Sequence, residues 1–459
     1  MICENLEQLK QAGQGVLAIQ DDTVKILDEA ALRNDLIDTL IFTAVFSLQA
    51  ETAKEARRLI RQTARELGIV STSIQPLYEA MGRREVAGFT VPAINIRGLT
   101  YWVAQAVLRA AMQGNVGAVL FEIARSEIGY TFQRPAEYAT VVTAAAIKTG
   151  YRGPLFLQGD HFQVIVKRYH QDATQEIKAL KDLIWEAIEA GFYNIDIDTS
   201  TLVDLTKPTL AEQQQLNYSL AAEFTTVIRD LEPTGLTVSV GGEIGEVGSK
   251  NSTVEELQAF MSGYLEELQK YDKSFKGISK ISVQTGTTHG GVPLSDGTIA
   301  KVNLDFDTLE KLSRVARDVF GMAGAVQHGA STLPDECFDK FPAIETAEIH
   351  LATGFQNMIF DSKYFPLDLR ERIYQDLHQA YGKDKKPGDT DEQFVYKNRK
   401  QSFGVFKKEL WHLHEETLRL LGGELEKQFL FLFNKLNMVN TRETIDRYVQ
   451  PHDEAVKKA

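Results

Sequence analysis

From about Gly88 onward, short apolar runs alternate with longer amphipathic segments. The runs are Thr90 to Ile96, Ala118 to Glu122, Pro154 to Gln158, Tyr193 to Asp198, Leu236 to Val240, Lys280 to Gln284, Gly324 to His328 and Ala347 to Thr353. Each is short enough for a buried strand, and the intervening segments carry helical periodicity. Two of these segments open on capping-box sequences, Thr209-Leu-Ala-Glu212 and Ser252-Thr-Val-Glu255, in which a hydroxyl and a carboxylate cap each other's backbone N–H groups. Strands separated by helices pair in parallel, because a parallel neighbour is reached only by a crossover. Eight such units predict an α/β fold, a closed (βα)8 TIM barrel over residues 76–365; an open doubly wound sheet is the alternative.

The flanks read differently. In residues 1–75, Leu32, Leu36 and Leu40 recur every four positions with Ile37 and Ile41 beside them, and Glu51 to Leu67 alternates charge and alanine on a helical period. This predicts an N-terminal helical segment without strands. After Pro366 the strand pattern stops. Residues 366–459 predict a C-terminal helical extension: a charged Pro/Gly loop at Lys383 to Glu392, then helix from Phe403 to Met438 broken at Gly422-Gly423. Trp411, Leu413, Leu418, Leu421 and Leu425 are expected to pack on the barrel, and His412 and His414 to lie at the surface.

Composition narrows the function classes. The 459 residues carry 63 Asp plus Glu against 50 Lys plus Arg, a net charge of −13, which argues against a nucleic-acid binder. Cys3 and Cys337 are too few for a disulfide framework and fit no metal-ligand spacing. No apolar run reaches the length of a membrane span, and the start, MICENLEQLKQ, lacks the pattern of a signal peptide. The expectation is a cytoplasmic protein.

Barrel chemistry sits where the strands end, so the residues closing each apolar run are the candidates. The third run ends Gln158-Gly-Asp160-His161, the fourth Asp196-Ile-Asp198, the fifth Gly-Gly-Glu243, the sixth Thr-Thr-His289-Gly290-Gly291, the seventh Gln327-His328-Gly329-Ala-Ser331, and the eighth carries His350 and Thr353. His161, His289 and His328 with Glu243 supply the imidazole and carboxylate donors of a catalytic zinc site. The small residues after His289 and His328 allow backbone N–H groups to close on a phosphate. Asp160 is either an acid–base group or a partner orienting a ligand.

Taken together, these motifs resemble the class II, metal-dependent fructose-bisphosphate aldolase family. VPAINI is similar to its first strand, QGDH to His-x-Asp-His, EIGEVG to Glu-Leu-Gly and the glycines after it, GTTHGG to Gly-Thr-Ser-His-Gly, and QHGAS to His-Gly-Gly-Ser. The resemblance implies a carbon–carbon lyase that cleaves a ketose bisphosphate, fructose 1,6-bisphosphate first among them, to dihydroxyacetone phosphate and glyceraldehyde 3-phosphate. It implies one Zn²⁺ per chain on His161, His289 and His328 with Glu243, a monovalent cation as a second ion, and a homodimer or homotetramer. Asp160 matches the acid–base residue. Asn95, Gly290, Gly329, Ser331, Thr353 and Arg399 match substrate and phosphate positions.

The departures surround the substrate. Gln158 replaces the first histidine of His-x-Asp-His, and Ala124 stands for a serine, with Glu122 nearby. The acidic loop after the fifth strand is missing, which leaves Glu246 and Glu255 as the nearest carboxylates; neither aligns with it, and Glu246 is the candidate for its proton-transfer role. The eighth strand reads Glu348-Ile-His350 where the family has Lys-x-Asn, so Glu348 is expected to add negative charge near the phosphate, and His350 joins the candidates for proton transfer. The alternatives are an aldolase for another sugar phosphate and a non-catalytic metal- and anion-binding barrel.

Overall fold

A computed structural model describes residues 2–20, 23–245, 250–286, 294 and 304–450. The chain begins with the helix Leu6–Ala12 and an antiparallel hairpin, β1 (Leu17–Gln20) and β2 (Thr23–Ile26). A third short strand, β3 (Ile69–Ser71), follows the helices Ile37–Phe46 and Ala50–Glu66. The first segment is therefore not purely helical. These strands are three or four residues long, below the length at which alternation is distinguishable from helical periodicity.

Eight parallel strands follow: β4 (Val91–Asn95), β5 (Leu120–Ala124), β6 (Gly153–Gln163), β7 (Asn194–Asp198), β8 (Ser239–Gly245), β9 (Lys280–Val283), β10 (Ala325–Gln327) and β11 (Glu348–Leu351). Each pairs with the next, and β11 returns to β4 with His350 level with Ala93, so the sheet closes into a TIM barrel. All eight predicted strands are present. Strands covered on both faces read as continuous apolar runs rather than as alternation, and β4, β5, β7, β9, β10 and β11 are buried at every position. Below the reach of β7, the long β6 pairs with β3 through Ile69 and Gly153. Asn194 ties this edge down: its amide donates to the carbonyls of Leu157 (2.9 Å) and Thr72 (3.3 Å) and its oxygen accepts from Ile74 N–H (2.9 Å).

The capping box at Thr209–Glu212 forms as expected. The second box is shifted by one residue: Thr253 caps with Glu256, and the Ser252 hydroxyl accepts from Gln284 N–H at 2.9 Å. The predicted break at Gly422-Gly423 is absent. The helix Glu415–Lys435 runs through both glycines, burying Leu418, Leu421, Leu425, Phe429, Leu432 and Phe433. That packing outweighs the roughly 1 kcal/mol by which a helical glycine disfavours the helix. Trp411 is buried and stacks on Tyr101 of the barrel helix Thr100–Gln113, while His412 and His414 are exposed. No helix among the described residues is long and apolar enough to cross a membrane.

Phe403 of the extension lies over the loop after β4, where a Cβ on Gly98 would sit 1.9 Å from its ring. Only a glycine permits this approach, and it seats the turn Arg399–Gln401 above the mouth of the barrel.

Candidate active site

The C-terminal ends of β4, β5, β6, β10 and β11 surround a cavity of about 280 Å³. Asn95, Asp160, His161, His328, Gly329, Ser331, His350 and Thr353 all line it. Glu246, His289 and Gly290 lie outside the described residues.

His161 sits at a register shift between β6 and β7, with φ +40°, a left-handed conformation that a histidine rarely adopts. The bulge turns its ring towards His328, whose centroid is 4.2 Å away. His161 Nδ1 faces Glu243 Oε2 at 3.1 Å and Asp198 Oδ2 at 3.3 Å, and its Nε2 lies 3.7 Å from Asp160 Oδ1. One nitrogen is thus held by carboxylates while the other faces Asp160, the arrangement that orients metal-binding imidazoles. His328 Nε2 shares a hydrogen bond of 2.9 Å with the Ser282 hydroxyl. Ligand atoms of Asp160, His161 and His328 lie within 4.8 Å of one another, a mixed imidazole and carboxylate set of the kind that suits a catalytic divalent ion. Burial opposes a charge on His161, yet Asp160, Glu243 and Asp198 hold its pKa well above the ordinary histidine value. Burial, then Asp198, push the Glu243 carboxyl up to about 7.

A second cluster adjoins the first. His350 lies with its ring 4.1 Å from that of His328. Its Nδ1 is 3.0 Å from Glu122 Oε2 and 3.2 Å from Asp160 Oδ1, and its Nε2 is 2.6 Å from Glu348 Oε1. Burial works against a charged His350, but Glu122, Asp160 and Glu348 raise its pKa well above the ordinary value. Burial and Asp160 raise Glu122 to about 7.

Glu348 is not near a phosphate position. It lies in the barrel interior, bonded to Lys280 and to the Tyr78 hydroxyl, and Lys280 Nζ also donates to Gln158 (2.8 Å) and Asp196 (3.0 Å). The exchange of lysine for glutamate on β11 is thus matched by a lysine at the start of β9. Gln158 bridges the two levels, its amide donating to Glu122 and Glu348 at 2.9 Å each.

Arg399 does not reach the cavity. It is buried between the rings of Phe360 and Tyr396, with its guanidinium bonded to Asp361 (2.5 and 3.0 Å) and Asn357 (2.7 Å). The next residue, Lys400, lines the cavity instead, with Arg97 and Arg125. Arg97 pairs with Glu127 (2.7 Å) and donates to Thr353 (3.2 Å) and Gln356 (3.1 Å). Arg125 is committed to Glu176. Lys400 has no carboxylate within ion-pair distance among the described residues and lies 5.8 Å from the centre of the Tyr130 ring. Burial and Arg97 lower its pKa. Sequence reasoning missed Arg97 and Lys400 because they stand on loops from opposite ends of the chain. Placing them beside Gly329, Ser331 and Thr353 gives one side of the mouth an anion-attracting wall. Gly329 has φ +67°, and the Ser331 hydroxyl accepts from Gly354 N–H at 3.1 Å.

In a TIM barrel the C-terminal ends of the strands are where catalytic groups gather, and here they bring together histidines, carboxylates and a basic rim. The family model "Fructose-bisphosphate aldolase class-II" matches residues 77–421, and the chain belongs to that family. None of the curated proteins compared matches the sequence. Among solved structures, a probable tagatose 6 phosphate kinase from Sinorhizobium meliloti 1021 is similar at 17% identity and TM-score 0.56, covering 77% of this chain and 100% of that one. The fructuronate-tagaturonate epimerase UxaE from Cohnella laeviribosi is similar at 13% identity and TM-score 0.55, covering 93% and 90%. The fructose-bisphosphate aldolase from Campylobacter jejuni is 17% identical over 82% of this chain and 96% of its own, with TM-score 0.49.

Proposed function

We propose that the protein is a metal-dependent aldolase that breaks and forms a carbon–carbon bond in an anionic ketose, with fructose 1,6-bisphosphate the first substrate to test. The observation that carries this reading is the convergence of Asp160, His161 and His328 at the barrel mouth, facing the basic wall of Arg97 and Lys400. His161, His328 and His289 would hold zinc. Bound there, the ion would act as a Lewis acid on the substrate's carbonyl and hydroxyl oxygens.

The chain's own groups divide the remaining work. Asp160 takes the hydroxyl proton as the bond breaks and returns it in the reverse direction. Asn95 positions Asp160, donating to its Oδ2 at 3.4 Å and to Glu127 at 2.7 Å. Glu243 and Asp198 fix the His161 ring. Lys400, with Arg97 behind it, attracts the substrate's anionic group, and Ser331 and Thr353 add hydroxyls beside it. A homo-oligomer in the cytoplasm accords with this reading.

A second reading, epimerisation of a keto sugar acid, draws support from the similarity to the epimerase over nearly the whole of both chains. Incubation of the zinc-loaded protein with fructose 1,6-bisphosphate and, separately, with a six-carbon keto sugar acid, followed by NMR of the products, separates the two. Triose phosphates would support the aldolase. A changed stereocentre in a six-carbon keto acid, without cleavage, would replace it. No turnover of either class in protein carrying stoichiometric zinc would leave the non-catalytic barrel.

A further inference from the structure

Glu122 is fully buried on β5, and its Oε1 has no hydrogen-bond partner among the described residues. Asn95, 3% exposed on the neighbouring strand, directs its amide N–H at carboxylates and leaves its Oδ1 equally without a partner. Both side chains line the cavity mouth. Buried acceptors are costly when nothing donates to them. Two on the lining of one cavity point to a missing partner, a donor or a cation.

The charges agree. Lys280 neutralises charge on Glu348 and Asp196 in the barrel interior. An ion between His161 and His328 would be balanced by Asp160 and the carboxylates behind His161. Glu122 and Asp160 converge on the one imidazole of His350, at 3.0 and 3.2 Å from its Nδ1.

We infer that Glu122, Asp160 and His350 form a second divalent-cation site adjoining the His161–His328 site, and that Asp160 serves as the proton acceptor of the Proposed function only while this second site is empty. One ligand atom from each of the three lies within 4.8 Å of the others. The distances from His350 Nδ1, 3.0 and 3.2 Å, approach the separation of about 3.3 Å expected between two ligands each roughly 2.0–2.1 Å from a tetrahedral zinc. Asp160 belongs to both ligand groups, and the His328 and His350 rings are adjacent.

The inference rests on the Proposed function only through the first site, and the test separates them. The full chain is stripped with chelator and dialysed against excess zinc. Bound metal is counted per chain by mass spectrometry in the wild type, Glu122→Gln, His350→Asn and His328→Ala, with circular dichroism to check folding. Manganese-loaded protein is examined in parallel by electron paramagnetic resonance for a spin-coupled pair. The expected result is two ions in the wild type, one in Glu122→Gln and in His350→Asn, and a coupled manganese signal that both changes abolish. One ion in the wild type that survives both changes but is lost in His328→Ala would overturn the second site and leave the first. One ion lost in Glu122→Gln and His350→Asn but kept in His328→Ala would support the second site and refute the first. No bound zinc or manganese would overturn both.

Discussion

Lys280 offers the most direct test of how the barrel tolerates its polar interior. Its ammonium is 1% exposed and lies 3.0 Å from Asp196, with Glu348 on the other side. At an effective dielectric constant of 20, a unit pair at that distance attracts by about 5 kcal/mol. Lys280→Met keeps most of the side-chain volume and removes the charge, so cavity formation contributes little. Breaking one partner out of a buried ion pair typically destabilises by about 3–5 kcal/mol, because the remaining charge stays buried. With a urea m-value near 3 kcal/mol/M, the midpoint should fall by roughly 1 M or more. Pairing Lys280→Met with Glu348→Gln removes part of the stranded charge, so the double variant should be at least about 1 kcal/mol more stable than the two single losses predict. The assay is urea denaturation followed by circular dichroism. A single-variant loss under about 1 kcal/mol, or strictly additive losses, would refute the idea that these charges hold each other in place. There is a pH signature as well. Burial opposes ionisation of Glu348, but Lys280 and His350 hold its carboxyl down at about 2. A depressed carboxylate contributes stability above its unfolded pKa that is lost as pH falls towards the folded value. The wild type should therefore hold its midpoint down to about pH 4–5 and lose it below, and Lys280→Met should shrink that window.

Other expectations follow from the mouth. Asp160→Asn should retain substrate affinity within a few-fold and lower kcat by about 10²–10⁴, as removal of a general acid–base group does; a normal rate in a coupled triose phosphate assay would exclude that role. Lys400→Met should raise KM for an anionic ketose by about tenfold, the effect of losing roughly 1.4 kcal/mol, with kcat nearly unchanged, and an unaltered KM would remove Lys400 from the anion wall. In metal-free protein, Glu243, raised from 4.5 to about 7, binds a proton in the folded state that the unfolded chain has released. Stability should therefore fall as pH rises from about 5 to 7.5, by on the order of 1–3 kcal/mol. Glu243→Gln should flatten that slope, and an unchanged thermal-melt profile would refute it.

The eight barrel strands were legible because burial on both faces leaves a run of apolar residues that no local preference obscures. The placement of Asp160, His161, His328, Gly329, Ser331, His350 and Thr353 at the mouth was legible for a topological reason, that in a parallel barrel every strand's last residues meet at one end, and that of Asn95 through the resemblance of VPAINI to the family's first strand. What stayed hidden depends on distance in sequence. Arg399 satisfied a motif, yet its side chain is spent on Asp361 and Asn357, and Lys400 takes the cavity because Phe403 fixes the turn over Gly98. No local pattern encodes which of two adjacent basic residues faces inward. Likewise Glu348, read alone, was a misplaced negative charge. Its meaning comes from Lys280, 68 positions earlier. Two substitutions that each look unfavourable in a buried site are compatible only as a pair. The same reasoning applies one level higher in the barrel. His350 stands where the family has an uncharged asparagine, and Glu122 is buried opposite it with an unmet acceptor. The interior of the barrel compensates its changed charges internally with Lys280, whereas the mouth sets Glu122 and Asp160 against the imidazole of His350 and the Arg97 and Lys400 side chains of the rim, and a metal ion would complete that balance.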